Sequence, residues 1–197
     1  MLKRVCFAPL LCLAACGASG DVERAMKAYV PGLRLDSPIS QADSRYKLAV
    51  ATELGPLVVY TDPAYRHASG MRDLYIAVDQ ILLDTTQRPS PDARIRSIAL
   101  STPEAKVALQ VEQDLRKRMG EPRTWCVQWE PGKQRRHLYW GGAPHPTISL
   151  TMPNGAWQPP GGTAQGPLDV EGRAWLAFAA EPPDTAVLQS RACPTSS

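Results

Sequence analysis

The chain has 197 residues, 44% of them hydrophobic, and carries 22 basic and 19 acidic side chains. This length suits one domain or two small ones with a sizeable core. The formal net charge of +3 does not supply the one-signed surface that nucleic-acid binding requires, so we expect no nucleic-acid partner.

The first 15 residues have the pattern of a secretory signal peptide. Lys3 and Arg4 form a short positive region, and residues 5–15 are an apolar run that ends in small side chains. Such a run is too short to cross a bilayer, which takes about 20 residues. Removal of this segment takes away two of the 22 cations, which leaves 20 basic against 19 acidic side chains.

The next feature is the sequence Leu-Ala-Ala-Cys at 13–16, which resembles the lipobox of bacterial lipoproteins. The resemblance implies that Cys16 is diacylated on sulfur, that cleavage precedes it, and that the new amino terminus is acylated. Several acyl chains on one residue anchor a protein stably, at about 0.8 kcal/mol per buried CH₂. Gly17 stands where an Asp would favour retention in the inner membrane, so the resemblance implies the outer membrane, facing the periplasm. The alternative is an ordinary secretory signal with an incidental cysteine.

The five cysteines reduce to one candidate pair. Cys6 and Cys12 leave with the signal peptide and Cys16 receives lipid, which leaves Cys126 and Cys193. In an oxidising compartment this pair predicts a disulfide, worth about 4 kcal/mol in the chain-entropy model. The alternative is that Cys126 remains a reactive thiol.

Composition and turn residues divide the chain into five predicted parts. They are a signal peptide (1–15), a lipidated cysteine with a short tether (16–20), a first module (21–92), a second module (93–183) and a C-terminal tail (184–197). A short helix over 21–29 opens the first module. The proline-containing segment 84–92 separates the two modules.

A weak repeat at an offset of 65 residues favours two related modules. Its matching pairs are Leu33 with Ile98, Leu35 with Leu100, Pro38 with Pro103, and Gly55 with Gly120. Each copy reads as a short strand, a Ser/Thr cap with Pro at the first helical position, a helix, and a Gly turn. The pattern predicts two similar α/β modules side by side, and chance agreement of a few common residues is the alternative.

The helix of the second copy is the clearer one, because apolar residues recur at spacings of three and four over 103–119. In the first copy, residues 46–52 fit either a helix or a strand paired with 57–61. Alternating patterns over 125–129, 136–140, 147–152 and 173–180 predict an antiparallel meander, interrupted by a Pro-rich excursion at 153–167.

Strands that follow a helix through hairpin connections predict an α+β fold. We expect helices packed on one face of an antiparallel sheet, in two related modules in tandem. The opening of each module resembles small lipoproteins of the BamE family and the two-module beta-lactamase inhibitor protein fold. No signature of either family extends through residues 123–183.

The residues that carry chemistry elsewhere form no catalytic set here. The three histidines, His67, His137 and His145, fit no zinc-ligand spacing, and no nucleophile elbow, phosphate loop or dinucleotide fingerprint is present. We therefore expect no metal, cofactor or catalytic residue. The alternative enzyme would use Cys126 as a thiol nucleophile and His137 as its base, on adjacent strands.

The predicted meander concentrates aromatic and basic side chains. A candidate recognition surface consists of Arg135, Arg136, His137, Tyr139 and Trp175. The alternative is that the tryptophans of this region, Trp125, Trp129 and Trp140, pack in the core under the helix.

The sequence therefore predicts a membrane-anchored lipoprotein of the bacterial envelope that acts by non-catalytic binding of a protein partner. An assembly accessory, a scaffold and an inhibitor all fit this description. The thiol enzyme and a purely structural envelope lipoprotein are the alternatives.

Overall fold

The computed structural model of the chain describes residues 13–42, 44–54, 57–79, 90–130, 133–141, 146–152 and 173–180. These residues form two α-helices, one short 3-10 helix and eight strands. The helices are α1 (Leu13–Tyr29) and α2 (Ala105–Met119), and the 3-10 helix is Ile39–Gln41. The strands are β1 (Ala49–Leu54), β2 (Leu57–Arg66), β3 (Arg72–Asp79), β4 (Ile95–Thr102), β5 (Arg123–Glu130), β6 (Lys133–Gly141), β7 (Thr147–Met152) and β8 (Ala174–Ala179).

All eight strands belong to one antiparallel sheet in the order β1-β2-β3-β4-β8-β7-β6-β5. Strand β8 lies between β4 and β7, and its Ala179 is opposite Ser97 on one side and Thr147 on the other. The last strand of the described residues is therefore a central strand of the sheet.

The predicted fold class is wrong, because the sheet dominates the structure and is not divided into two tandem α+β modules. The strands of the two predicted modules join one continuous sheet through the pairing of β8 with β4 and β7. Alternation in the sequence predicts strands but not which strands pair. The repeat suggested a boundary between two modules, and the pairing of β8 with both β4 and β7 joins the strands on the two sides of that boundary.

The first copy of the repeat does not form the expected strand and helix. After Leu33, which is buried, the chain forms turns and the 3-10 helix Ile39–Gln41. Residues 49–54 then form β1, paired with β2 and bulged between Val50 and Thr52, so the strand alternative holds there. The second copy does contain the helix α2, which ends at Gly120 with a φ of +79°.

One hydrophobic core joins the helices to one face of the sheet. The α2 side chains Val107, Ala108, Val111 and Leu115 are buried in this core, on the stripe that the sequence predicts. Helix α2 contacts β4, β7 and β8, and α1 contacts α2 and β6. Burial of this stripe stabilises the helix, since a peptide of 15 residues is marginal as an isolated helix.

Helix α1 is longer than the predicted helix over 21–29. It begins at Leu13 and runs through Cys16 and the segment predicted to be a tether. Its buried side chains include Val22, Met26 and Tyr29, at helical spacing. In the described part of the chain, no helix has the length and apolar character needed to span a membrane.

The β2–β3 turn supports α2 through Gly70. Gly70 has a φ of +92°, and a Cβ added to it would lie 2.7 Å from Cγ2 of Val107. The Gly70→Ala variant is expected to lose about 2–4 kcal/mol of unfolding free energy, because backbone strain and overpacking add. Urea unfolding measures this loss.

Gly120→Ala is the matched control, since its φ is +79° and nothing lies within 4 Å of an added Cβ. It should lose only backbone strain, about 1–3 kcal/mol, because its ψ of −162° lies in a region essentially restricted to glycine. In double variants, the effect of Val107→Ala should be non-additive with that of Gly70→Ala and additive with that of Gly120→Ala. Additive effects in both double variants would show that α2 does not press on this turn.

Candidate functional site

The two faces of the sheet differ most clearly at the central strand β8. Leu176 and Phe178 are fully buried and belong to the core under the helices. The alternate side chains of Trp175, Ala177 and Ala179 are partly exposed. We call the surface that these three residues share with their cross-strand neighbours the helix-free face, because neither of the described helices, α1 and α2, packs on it.

An aromatic pair stands on the helix-free face. The rings of Trp175 and Tyr75 are tilted by 55° with their centroids 5.1 Å apart. Between their strands, Ala99 lies opposite both Tyr75 and Ala177, and Ser149 continues the same row on β7. Small side chains in this row leave the two rings as the bulkiest features of the centre of the face.

A polar cluster adjoins the aromatic pair. Asp73 has a φ of +49°, which is uncommon for a residue with a Cβ, and it lies where the β3–β4 register shifts. Its carboxylate accepts hydrogen bonds from Arg173 and, at 3.4 Å, from Nη1 of Arg66. Arg173 also donates to Oγ of the buried Ser101, at 2.9 Å.

The polar cluster has an excess of positive charge. The single Asp73 carboxylate, 14% exposed, is shared by Arg173 and Arg66, of which Arg66 is 57% exposed. The neighbouring pair of Arg72 with Glu104, at 2.8 Å, is neutral. The cluster therefore presents guanidinium groups to solvent beside two aromatic rings.

His137 and Tyr139 of the predicted surface lie on the helix-free face, as Trp175 does. Thr151 is opposite both His137 and Trp175, and its Oγ1 lies 3.0 Å from Nδ1 of His137. The rings of His137 and Tyr139 are stacked with centroids 6.2 Å apart. Burial raises the pKa of Tyr139, so its hydroxyl remains protonated at neutral pH.

Arg136 of the predicted surface lies on the other side of the sheet. Its Nη2 donates to Oε2 of Glu112 on α2 at 2.5 Å, and Arg116 donates to the other oxygen of the same carboxylate. Alternation along β6 requires this placement, because Arg136 is one residue from His137. Arg135 lies opposite Val127 in the β5–β6 register, and its side chain is outside the described residues.

The tryptophans do not share one face. Trp140 is 3% exposed, and its Nε1 donates to the carbonyl oxygen of Gly120 at 2.8 Å, which confirms its place in the core. Trp125 is opposite His137 in the β5–β6 register. The side chains of Trp125 and Trp129 are outside the described residues.

The β5–β6 register gives the two residues of the alternative enzyme different partners. Cys126 is opposite Arg136, and His137 is opposite Trp125. The side chain of Cys126 is outside the described residues, so the thiol enzyme stays an alternative. Cys193 lies outside the described residues, so the disulfide with Cys126 stays a prediction.

His67 is the other histidine that the structure describes. His67 accepts a hydrogen bond at Nδ1 from the backbone N–H of Ser69, and its Nε2 lies 3.0 Å from the carbonyl oxygen of Ala28. This arrangement ties the β2–β3 turn to the end of α1. Among the described residues, no three His, Cys, Asp or Glu side chains lie close enough to hold a metal ion, and His145 is not described.

No protein-family model, curated protein or solved structure matches this chain.

Sequence reasoning missed Tyr75, Asp73, Arg173 and Ser101. Alternation along β3 and β8 indicates that each segment is a strand, but it does not indicate that these residues lie close together. Only the pairing of β4 with β3 and β8 brings them together. The sequence around Asp73, an Asp followed by an alternating strand, also does not predict the positive φ of this residue.

The end of α1 is fixed to α2 by a buried tyrosine. The hydroxyl of Tyr29, a residue that is 2% exposed, donates to Oδ2 of Asp114 at 3.0 Å, and Arg118 donates to the same oxygen at 2.8 Å. Burial and the Asp114 carboxylate both raise the pKa of Tyr29 above its ordinary value. The folded state therefore favours the protonated tyrosine.

This pKa shift predicts a loss of stability at alkaline pH. A raised pKa in the folded state gives stability that is complete below the unfolded value of about 10 and declines as pH rises above it, by up to about 1.4 kcal/mol per pH unit. Urea unfolding from pH 8 to 11 should show a shallower decline in Tyr29→Phe. Tyr60→Phe, which removes a tyrosine whose pKa is raised by burial alone, should change the slope less. Parallel curves for Tyr29→Phe and the unmodified protein would contradict the assignment.

Proposed function

We propose that the protein is a lipoprotein of the bacterial envelope, anchored through lipid on Cys16, that binds a protein partner through its helix-free face. The lipobox-like sequence at 13–16 supports the anchor and the periplasm-facing location. The partial exposure of Trp175 on a central strand is the observation that carries the binding proposal.

The composition of the helix-free face supports recognition of protein. Trp, Tyr and Arg are the residues enriched at the energetic centres of protein interfaces, and here Trp175, Tyr75 and Arg173 adjoin one another. Small residues such as Ala99 and Ala177 allow a partner to approach the sheet between the rings.

The charge of the polar cluster defines the partner's chemistry. Arg66 and Arg173 share one carboxylate, so the partner gains from presenting an acidic side chain there and an apolar side chain over Trp175. Rim charges of this kind mainly accelerate association and set its salt dependence, whereas the buried aromatic contact holds the complex.

Anchoring is tested by the mass of the mature protein from the source bacterium. The expected mass lacks residues 1–15 and includes acyl chains on Cys16, and the protein should remain in the membrane fraction. Cys16→Ser should leave the precursor unprocessed. A mature protein with a free Cys16 thiol would contradict the proposal.

Binding is tested by a photoreactive amino acid placed at position 175 of the full-length protein in intact cells. We expect one discrete protein product that is reduced at least five-fold by Arg66→Glu, an exposed substitution that removes positive charge without disturbing the core. The same amino acid at Leu109, which is 40% exposed on α2, is the matched control and should give no such product. Equal labelling at the two positions, or none at position 175, would favour a purely structural role.

A further inference from the structure

A second candidate site, which is concave, lies beside α1, on the opposite side of the molecule's core from the helix-free face. It is an open cavity of about 640 Å³ between α1, the segment 32–36 and Pro146. Val22, Met26 and Leu33 give it an apolar floor. This volume is in the range of small-molecule sites, which combine an apolar lining with a few polar groups.

The rim of the cavity carries exposed charges. Lys27 and Arg34 contribute two cations and Glu23 contributes one carboxylate. Among the described residues these three side chains have no ion pair, whereas Asp36, also at the rim, is paired with Arg96 at 2.7 Å. The cavity therefore suits an amphipathic ligand with an anionic group at the rim and hydrocarbon over the floor.

The position of the cavity relative to Cys16 limits the source of such a ligand. Helix α1 is continuous from Leu13 to Tyr29, so Val22 and Lys27 lie about 9 Å and about 16 Å from Cys16 along the axis at 1.5 Å per residue. The polar layer of each bilayer leaflet is about 5–8 Å thick. With acylated Cys16 at the edge of the hydrocarbon, an α1 axis inclined toward the membrane plane brings the cavity to the phospholipid headgroups, and anchoring raises their effective concentration there.

We infer that this cavity binds a phospholipid of the anchoring membrane, with the lipid phosphate between Lys27 and Arg34 and the glycerol with its first methylenes over Val22, Met26 and Leu33. The inference rests on the proposed anchor at Cys16. It adds a second membrane contact that fixes the orientation of the body, whereas lipid on Cys16 alone fixes only its distance.

The test uses the mature full-length protein in nanodiscs that contain a phospholipid with a photoreactive diazirine near the glycerol end of one acyl chain. Cross-linked peptides mapped by mass spectrometry should fall within residues 22–35. The double variant Lys27→Glu, Arg34→Glu should reduce this labelling at least five-fold. The control Arg24→Glu, Lys106→Glu makes the same charge change at exposed positions outside the cavity and should change it less than two-fold.

The possible outcomes separate this inference from the anchor. Acyl chains on Cys16 with labelling outside 22–35, or equal labelling in both double variants, would overturn the cavity assignment and leave the anchor intact. A free Cys16 thiol would overturn both. Glycerol 3-phosphate in millimolar excess should not compete, and full competition would indicate a soluble phosphoester and overturn a membrane source.

Discussion

The structure depends on the insertion of β8 between β4 and β7. Without this strand, β1 to β4 and β5 to β7 would be two separate sheets, each with an unpaired edge beside the core. Both sets of backbone hydrogen bonds made by β8 join residues that are distant in sequence, as in the pairing of Ser97 with Ala179. The strand also supplies Leu176 and Phe178 to the core and Trp175 to the opposite face, so one short segment builds both surfaces.

The sequence predicts features that depend on neighbouring residues, such as the buried face of a helix or strand. It does not predict which strands pair when they are distant in the chain. Periodicity predicted the buried stripe of α2 and the alternation of β6, which puts Trp140 in the core and His137 on the other face. It did not predict strand order, because alternation marks a half-buried strand without naming its neighbour. For a similar reason, alternation along β6 does not identify the partner of Arg136, since Glu112 lies on a helix 24 residues away.

The two proposed sites could bind a protein partner and a membrane phospholipid at the same time. The cavity proposed for phospholipid adjoins the second half of α1, whereas the aromatic pair stands on the sheet face that α1 does not contact. Contacts of Tyr29 with Asp114 and of His67 with Ala28 fix α1 to the body. A rigid connection of this kind would hold the helix-free face at a constant angle to the membrane.

The place of β8 in the chain also determines when the sheet can close. A polypeptide that emerges from its amino terminus exposes the inner edges of β4 and β7 until residues 174–179 arrive, about 70 residues after β4 is complete. Pairings at such separation form slowly because loop-closure entropy precedes the hydrogen bonds. Unpaired strand edges are templates for association with other chains. Every newly made molecule therefore passes through an interval in which it needs protection from its neighbours, and that interval ends only when β8 has paired.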